Sequence, residues 1–377
     1  MAQPKRRGQG EGSIYQRKDG RWVGEVTLEN GRRKPLYGKT RKEVAEKLNA
    51  ALQAQKQGTL ATGPQQKLKD YLDQWLEEVH KPTVRLSSYA KYRRTLDRHI
   101  LPGLGHIQLQ KLTPQHVQKL YASKLQEGLS PKTVRLIHAV LHQALKNAVR
   151  WNLVPRNVCD AVSLPKQTTQ REMQVLTKEQ AQTLLETAKG HRLEALLTLA
   201  VATGMRRGEL LALRWQDINF ETRSLHICRS VSFLTGHGFV ESEPKTTRSR
   251  RNITLPLFAL EALRVHRTRQ LEVRLQAGKK WEDHDVVFCN TLGGFLNTST
   301  LFKLFTALLK DAGLPHMRFH DLRHSAATIL LAMGAHPKVV QELLGHSQIS
   351  MTLDIYSHVL PSMQEEVMDR LNNLFQS

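Results

Sequence analysis

The sequence predicts a mainly α-helical chain with small β elements, an α+β arrangement spread over three segments. Three observations predict it. Apolar residues recur at helical spacing through residues 67–160 and again beyond residue 177. Two turn dipeptides, Asp19-Gly20 and Asn30-Gly31, bracket a short alternating run near the N-terminus. Strand-like alternation returns once more, between about residues 224 and 255. A length of 377 residues suits two or three domains.

Residues 12–57 are expected to form three strands and a helix. Trp22, Val26 and Leu28 share one face of the middle strand by its period of two, with Gly24 in the same row. The third strand is expected over residues 32–37. Thr40 and Glu43 then offer a capping box, and Ala45, Leu48 and Leu52 a buried helical stripe. Residues 67–160 read as all helix. Leu68, Leu72, Trp75, Leu76 and Val79 repeat at helical spacing, as do Tyr89, Tyr92, Leu96 and Ile100. The aromatic residues here are expected in the core rather than stacked on bases. Thr113-Pro114 and Ser130-Pro131 each supply an N-cap followed by proline at the first helical position. Residues 101–109 are expected to be a connecting loop.

Residues 161–172 are polar and aperiodic, as expected of an interdomain linker. A further helix is expected to start at a Thr177–Gln180 capping box. The later β segment carries a turn at Gly236-His237-Gly238. At the C-terminus Met363, Val367, Leu371 and Phe375 fall on one helical stripe.

The chain carries 56 Lys and Arg against 34 Asp and Glu, a formal charge of +22. Residues 1–60, 61–160 and 161–377 contribute +8, +9 and +5. So broad a positive field points to a polyanion, most simply nucleic acid. Arg17, Lys18, Arg21, Arg32, Arg33 and Lys34 on the first strands could lie in a DNA groove. Lys91, Arg93, Arg94 and Arg98 form a basic ridge suited to phosphates. Three scattered cysteines without CxxC spacing suit a reducing cytoplasm and argue against a zinc ribbon. No apolar run approaches the ~20 residues that span a bilayer. The start, MAQPKRRGQGEG, lacks the apolar core of a secretory signal and reads as a basic arm.

The chemistry concentrates late in the chain. Tyr356 is the only tyrosine after Tyr121, and it follows His320, Arg323 and His346 within a short stretch. Upstream, TGMRRGELLALRW supplies Arg206. Cleaving a phosphodiester without a metal needs a nucleophile, neutralised phosphoryl oxygens and a proton for the leaving oxygen. A phenol with a pKa near ~10 needs a base or a strong positive field to attack at neutral pH. Guanidinium forks suit phosphoryl oxygens because they bind in pairs and keep their charge. His320 and Arg323, three apart at a helix start, project from one face. His320 and His324 have the spacing of a zinc pair, but Arg323 between them would set a cation beside the metal, and no metal site is expected. Together these groups point to a DNA strand-exchange enzyme.

In these motifs the chain resembles the phage-type tyrosine recombinases, or integrases, over nearly its whole length. The family's T-G-x-R-x-G-E pattern falls on residues 203–209, its H-x-x-R pattern on His320 and Arg323, and its later histidine and tyrosine on His346 and Tyr356. The resemblance implies a mixed α/β tyrosine-recombinase catalytic domain over residues 173–377. It implies an arm-type DNA-binding domain over residues 1–60 and a helical, SAM-like core-binding domain over residues 65–160. Tyr356 would attack phosphorus to give a 3′-phosphotyrosyl bond. Arg206 and Arg323 would hold the non-bridging oxygens, with Glu209 in support. Lys245, in a hairpin shared with Arg248, Arg250 and Arg251, would protonate the 5′-oxygen. His320 would take the phenol proton and His346 would hydrogen-bond the phosphate.

The implied function is site-specific integration and excision of a mobile element, with no cofactor, metal or ATP. The implied partners are double-stranded DNA at core and arm sites and three further copies of the chain, with a host DNA-bending protein and an excisionase as possible accessories. No membrane is involved, and the expected place is the bacterial cytoplasm, at the nucleoid. A type IB topoisomerase and a non-catalytic DNA-binding regulator are the alternatives. Arg248 and Arg250 join the expected DNA contacts.

Overall fold

A computed structural model describes residues 12–27, 31, 33–56, 65–166, 174–243, 250–345, 348, 349, 353, 368, 372 and 375. It divides into two compact units, residues 1–170 and 171–377.

The first unit opens with an antiparallel sheet in the order β1 (Ser13–Gln16), β2 (Trp22–Thr27), β3 (Arg33–Gly38). Gly20 turns the first hairpin with φ +80°. Gly24 is needed for packing: a Cβ there would lie 2.8 Å from Val44 of helix α1 (Arg41–Lys56). Helix and sheet therefore meet at a bare backbone, over a small core of Val26, Leu48 and Ala51. The expected capping box forms by half. Thr40 Oγ1 accepts from the Glu43 amide, but the Glu43 carboxylate reaches the Lys39 amide instead. Val44 and Leu48 carry the buried stripe, with Ala45 only half-buried. Leu28 lies outside the described residues.

The rest of this unit is helical: α2 (Leu68–Gln74), α3 (Leu86–Thr95), α4 (Leu101–Leu104), α5 (Pro114–Gln126) and α6 (Pro131–Arg150). Wider π-type turns continue α2 over Trp75–His80 and α3 over Leu96–Ile100. The expected loop at residues 101–109 therefore begins as a helical turn. Thr113 and Ser130 cap α5 and α6 through their side-chain oxygens. Trp75, Leu72 and Leu76 are buried with Ile137, Leu141 and Ala144 of α6, and Tyr89 and Tyr92 pack against that core.

The second unit begins with α7 (Lys178–Thr187), whose Thr177–Gln180 capping box is complete. Next come α8 (Glu194–Thr203) and α9 (Arg207–Leu211). The short strands β4 (Ile218–Asn219), β5 (Ser224–Ile227) and β8 (Arg251–Thr254) form one antiparallel sheet. The hairpin of β6 (Ser230–Leu234) and β7 (Gly238–Ser242) forms another, turning through Gly236 and Gly238 at positive φ. Four helices follow: α10 (Leu257–Ala277), α11 (Thr298–Asp311), α12 (Asp321–Ala332) and α13 (Pro337–Leu344). Nearly all of α8 is buried, so it is the post around which α10 and α12 pack. Among the described residues no helix is long and apolar enough to cross a membrane.

Candidate active site

Six of the seven residues of the segment TGMRRGE have a positional reason, Arg207 excepted. Thr203 Oγ1 donates to the Leu199 carbonyl and closes α8. Gly204 ends the helix in the left-handed region at φ +60°. A Cβ there would lie 2.3 Å from Leu344 of α13, so the glycine lets that helix approach. Met205 is buried, which turns the following Arg206 toward the surface. Gly208 lies against β6, where a Cβ would meet Ser230 Oγ at 2.4 Å and the Val231 carbonyl at 2.8 Å.

Arg206 stands at the N-cap of α9, and its own amide donates to Glu209 Oε2 at 3.0 Å. Its Nη1 donates to Glu209 Oε1 at 2.8 Å and its Nη2 to the Gly345 carbonyl at 2.9 Å. About a third of the side chain is exposed, whereas Glu209 is only 4% exposed. The second partner of Glu209 is Arg251. Its Nη2 donates to Oε2 at 3.0 Å, and its Nε donates to the Leu343 carbonyl at 2.6 Å. Burial alone would raise the Glu209 carboxyl, but Arg251 and Arg206 outweigh it and hold the pKa below the ordinary carboxylate value.

Arg323 lies two positions into α12 and is 4% exposed. Its Nη1 donates to the Gly204 carbonyl at 2.8 Å. Its Nη2 is buried with no hydrogen-bond partner among the described residues. Burial, and then the Arg206 cation, pushes its pKa down to about 9, which leaves the guanidinium charged at neutral pH. A buried cation with an unused donor is a costly arrangement unless an anion completes it.

His320 is the N-cap residue of α12, with its ring edge-on to His324 at 5.3 Å. Desolvation of the ring, then His324 and Arg323, lowers its pKa well below the ordinary value. The Asp321 carboxylate opposes these effects without overcoming them, and the imidazole is neutral at pH 7. Three arginines against one carboxylate leave the cluster at a net positive charge, an environment for an anion. A cavity of about 660 Å³ opens beside it, lined by Arg206, Arg207, Ser230, Phe302, Phe305 and His320 among others. A second cavity of about 300 Å³, against α8 and α10, holds none of the expected site residues. Among the described residues no group of three or more His, Cys, Asp or Glu could hold a metal ion.

The structure thus brings Arg206, Glu209, His320 and Arg323 to one region, from α9 and α12. Lys245, Arg248, His346 and Tyr356 lie outside the described residues. The described chain reaches Gly345, the residue before His346, and Arg206 grips its carbonyl. Sequence reasoning leaves Arg251 out of the site. The signal that marks it is strand alternation: Arg251 falls in the same row as the buried Ile253 and Leu255, while Arg250 points to solvent. Arg250 pairs with Glu243 at 2.8 Å.

The expected DNA contacts divide. Arg17, Lys18 and Arg21 sit exposed around the β1–β2 turn. Arg33 is exposed on the outer sheet face, where it pairs with Glu25. Lys34 pairs in register with the buried Val26, on the face toward α1, and burial lowers its pKa. Arg32 lies outside the described residues. Lys91, Arg94 and Arg98 are exposed along α3 and its wide turn, but Arg93 is tied to Asp73 at 2.6 Å and Asp97 at 2.5 Å. That side chain braces α3 against α2 rather than completing the ridge.

Known proteins resemble this chain over most of its length. The pattern of the phage integrase family matches residues 174–363, and that of the phage integrase N-terminal SAM-like domain matches residues 67–126. A tyrosine recombinase XerC-like protein of Caldanaerobacter subterraneus subsp. tengcongensis is 33% identical, over 92% of this chain and 94% of its own. Among solved structures, the Tn1549 transposon integrase in complex with transposon right end DNA superposes with a TM-score of 0.66. It is 22% identical, over 81% of this chain and all of that one. A lambda integrase tetramer bound to a Holliday junction superposes with a TM-score of 0.58 at 20% identity, over 93% and 96%.

Proposed function

The chain belongs to the phage integrase family, the tyrosine recombinases that cleave and rejoin DNA strands, and from that premise we propose how its residues divide the work. The carrying observation is the arginine pair: half-buried Arg206 fixed by Glu209, and buried Arg323 beside it with an unused Nη2. Arg206 and Arg323 take the two non-bridging oxygens of the scissile phosphate. Gly345 O, now on Arg206 Nη2, yields that donor when phosphate arrives. Tyr356 Oη attacks phosphorus as the bond to the 5′-oxygen breaks. Neutral His320 takes the phenol proton, Lys245 gives a proton to the 5′-oxygen, and His346 donates to the phosphate. The energy of the phosphodiester stays in the 3′-phosphotyrosyl bond, so rejoining needs neither ATP nor a metal. Preorganised donors of this kind are each typically worth ~100- to 1,000-fold in rate.

The substrate is double-stranded DNA at the attachment sites of a mobile element, engaged by four copies of the chain on two paired sites. Residues 1–60 bind arm-type sites, residues 65–160 and 173–377 bind the core site, and residues 161–172 link the last two. The names of the transposon and lambda relatives support this reading, as does the positive charge of the first 160 residues.

A covalent trap tests it. Wild-type protein and Tyr356→Phe are incubated in EDTA with fragments of host and element DNA, and protein-linked DNA surviving denaturation is sequenced. Adducts from wild type alone, concentrated at a few sites, are expected. Adducts from Tyr356→Phe, or none from wild type despite DNA binding, would overturn it.

A further inference from the structure

Glu209 is a junction of three elements. It holds Arg206 on α9 and Arg251 on β8, and both arginines continue to the end of α13. Arg206 Nη2 donates to the Gly345 carbonyl, and Arg251 Nε donates to the Leu343 carbonyl at 2.6 Å. Arg251 also presses on the turn itself: a Cβ on Gly345, which has φ +66°, would lie 2.8 Å from Arg251 Nη1. The side chain of Arg251 is only 7% exposed, and its Nε, Nη1 and Nη2 all donate to the Leu343 carbonyl or to Glu209, so unlike Arg323 it keeps no nitrogen unengaged for a phosphate. The two carbonyls it and Arg206 hold are among those a helix C-terminus leaves unpaired. They immediately precede His346, with Tyr356 ten residues further on. In the other direction, Arg251 lies six residues after Lys245.

We propose that Arg251 is a positioning residue for strand cleavage, which locks Glu209 and the C-terminus of α13 to strand β8 and so fixes Arg206 against the end of α13. The inference rests on the reading of Arg206 and Tyr356 given above. A lysine at this position would keep the charge but not the fork, which here spans a carboxylate and a carbonyl on different elements. Arg251 also holds Glu209 ionised, which keeps Arg206 paired while its remaining donor turns to substrate.

The test uses full-length wild type, Arg251→Met, Arg251→Lys and Arg206→Ala on a nicked duplex carrying a cleavage sequence recovered by the covalent trap. Single-turnover cleavage at saturating DNA is followed to completion, with DNA affinity measured in parallel. The exponential rate constant reports the geometry of the folded site, whereas the amplitude reports how much protein is folded. Both Arg251 variants are expected to lose about 100-fold in rate constant, the scale of a 1 Å misplacement, with affinity within about threefold of wild type. A wild-type rate constant at reduced amplitude would show that Arg251 only supports the fold, and would overturn the proposal. Arg251→Lys provides the answer if Arg251→Met does not fold. Arg206→Ala separates the two readings: cleavage at the wild-type rate there would sink the site assignment itself. Loss there with normal rates in both Arg251 variants would sink this inference alone.

Discussion

At the scale of single residues, the site turns on one buried carboxylate. Glu209 sits between two guanidinium groups at 2.8 and 3.0 Å and is nearly inaccessible to solvent. Replacing it by glutamine keeps the shape and removes the charge, leaving Arg251 buried without its counter-ion. Breaking a buried pair in this way typically costs ~3–5 kcal/mol, so Glu209→Gln is expected to unfold at a markedly lower temperature at neutral pH. The pH dependence has a definite sign. The folded pKa of Glu209 lies below its unfolded value, so its contribution is present above the unfolded value and is lost as pH falls through the folded one. The stability gap between wild type and Glu209→Gln, followed by thermal unfolding, should therefore narrow as pH drops below the ordinary carboxylate range. No gap at neutral pH would mean that shape, not charge, makes Glu209 necessary.

At the scale of elements, the site depends on glycines that let backbones touch. Gly208 brings α9 onto β6, and an added Cβ would meet the Val231 carbonyl at 2.8 Å. A carbonyl in a strand cannot swing away as a long side chain can, so α9 itself must move, taking Arg206 and Glu209 with it. Gly208→Ala is expected to cost ~1–3 kcal/mol, the range for overpacking, and to slow cleavage more than it weakens DNA binding. Equal losses in both, by titration and single-turnover kinetics, would contradict this. Much at this scale is legible in the sequence. Thr113, Ser130 and Thr177 announce their helices because a cap is a local event: one side-chain oxygen meets an amide two or three residues on. The pairing of His320 with Arg323 is legible for the same reason. What escapes is non-local. Arg93 resembles a phosphate ligand until Asp73, twenty residues away, closes on it. Lys34 resembles its neighbour Arg33 until the sheet register sets it opposite Val26. Arg251 meets Glu209 across forty-two residues, and only the alternation with Ile253 and Leu255 marks it as inward-facing.

At the scale of the whole molecule, charge and core are divided differently. The first 160 residues hold +17 of the net +22, while the cluster around Glu209 lies entirely beyond them. Within the first unit, the sheet and α1 enclose a core of Val26, Leu48 and Ala51 that shares no residue with the helical core around Trp75 and Ile137. Residues 1–64 can therefore be removed without opening the helical core. Such a chain should still cleave a short duplex carrying only the core site, at close to the wild-type rate. It should bind long attachment-site DNA with a weaker salt dependence. Each DNA phosphate that the protein ceases to neutralise flattens the slope of log affinity against log salt by about 0.9. Arg17, Lys18, Arg21 and Arg33, the exposed cations of the sheet, would together account for roughly three to four units. Binding isotherms across roughly the tenfold-affinity range of salt, on long and short duplexes, measure both slopes. If the N-terminal sheet reads arm sites, the shortened chain has a flatter slope on the long duplex and a nearly unchanged one on the short. Equal flattening on both would place the sheet on the core site, and unchanged slopes would remove it from DNA altogether.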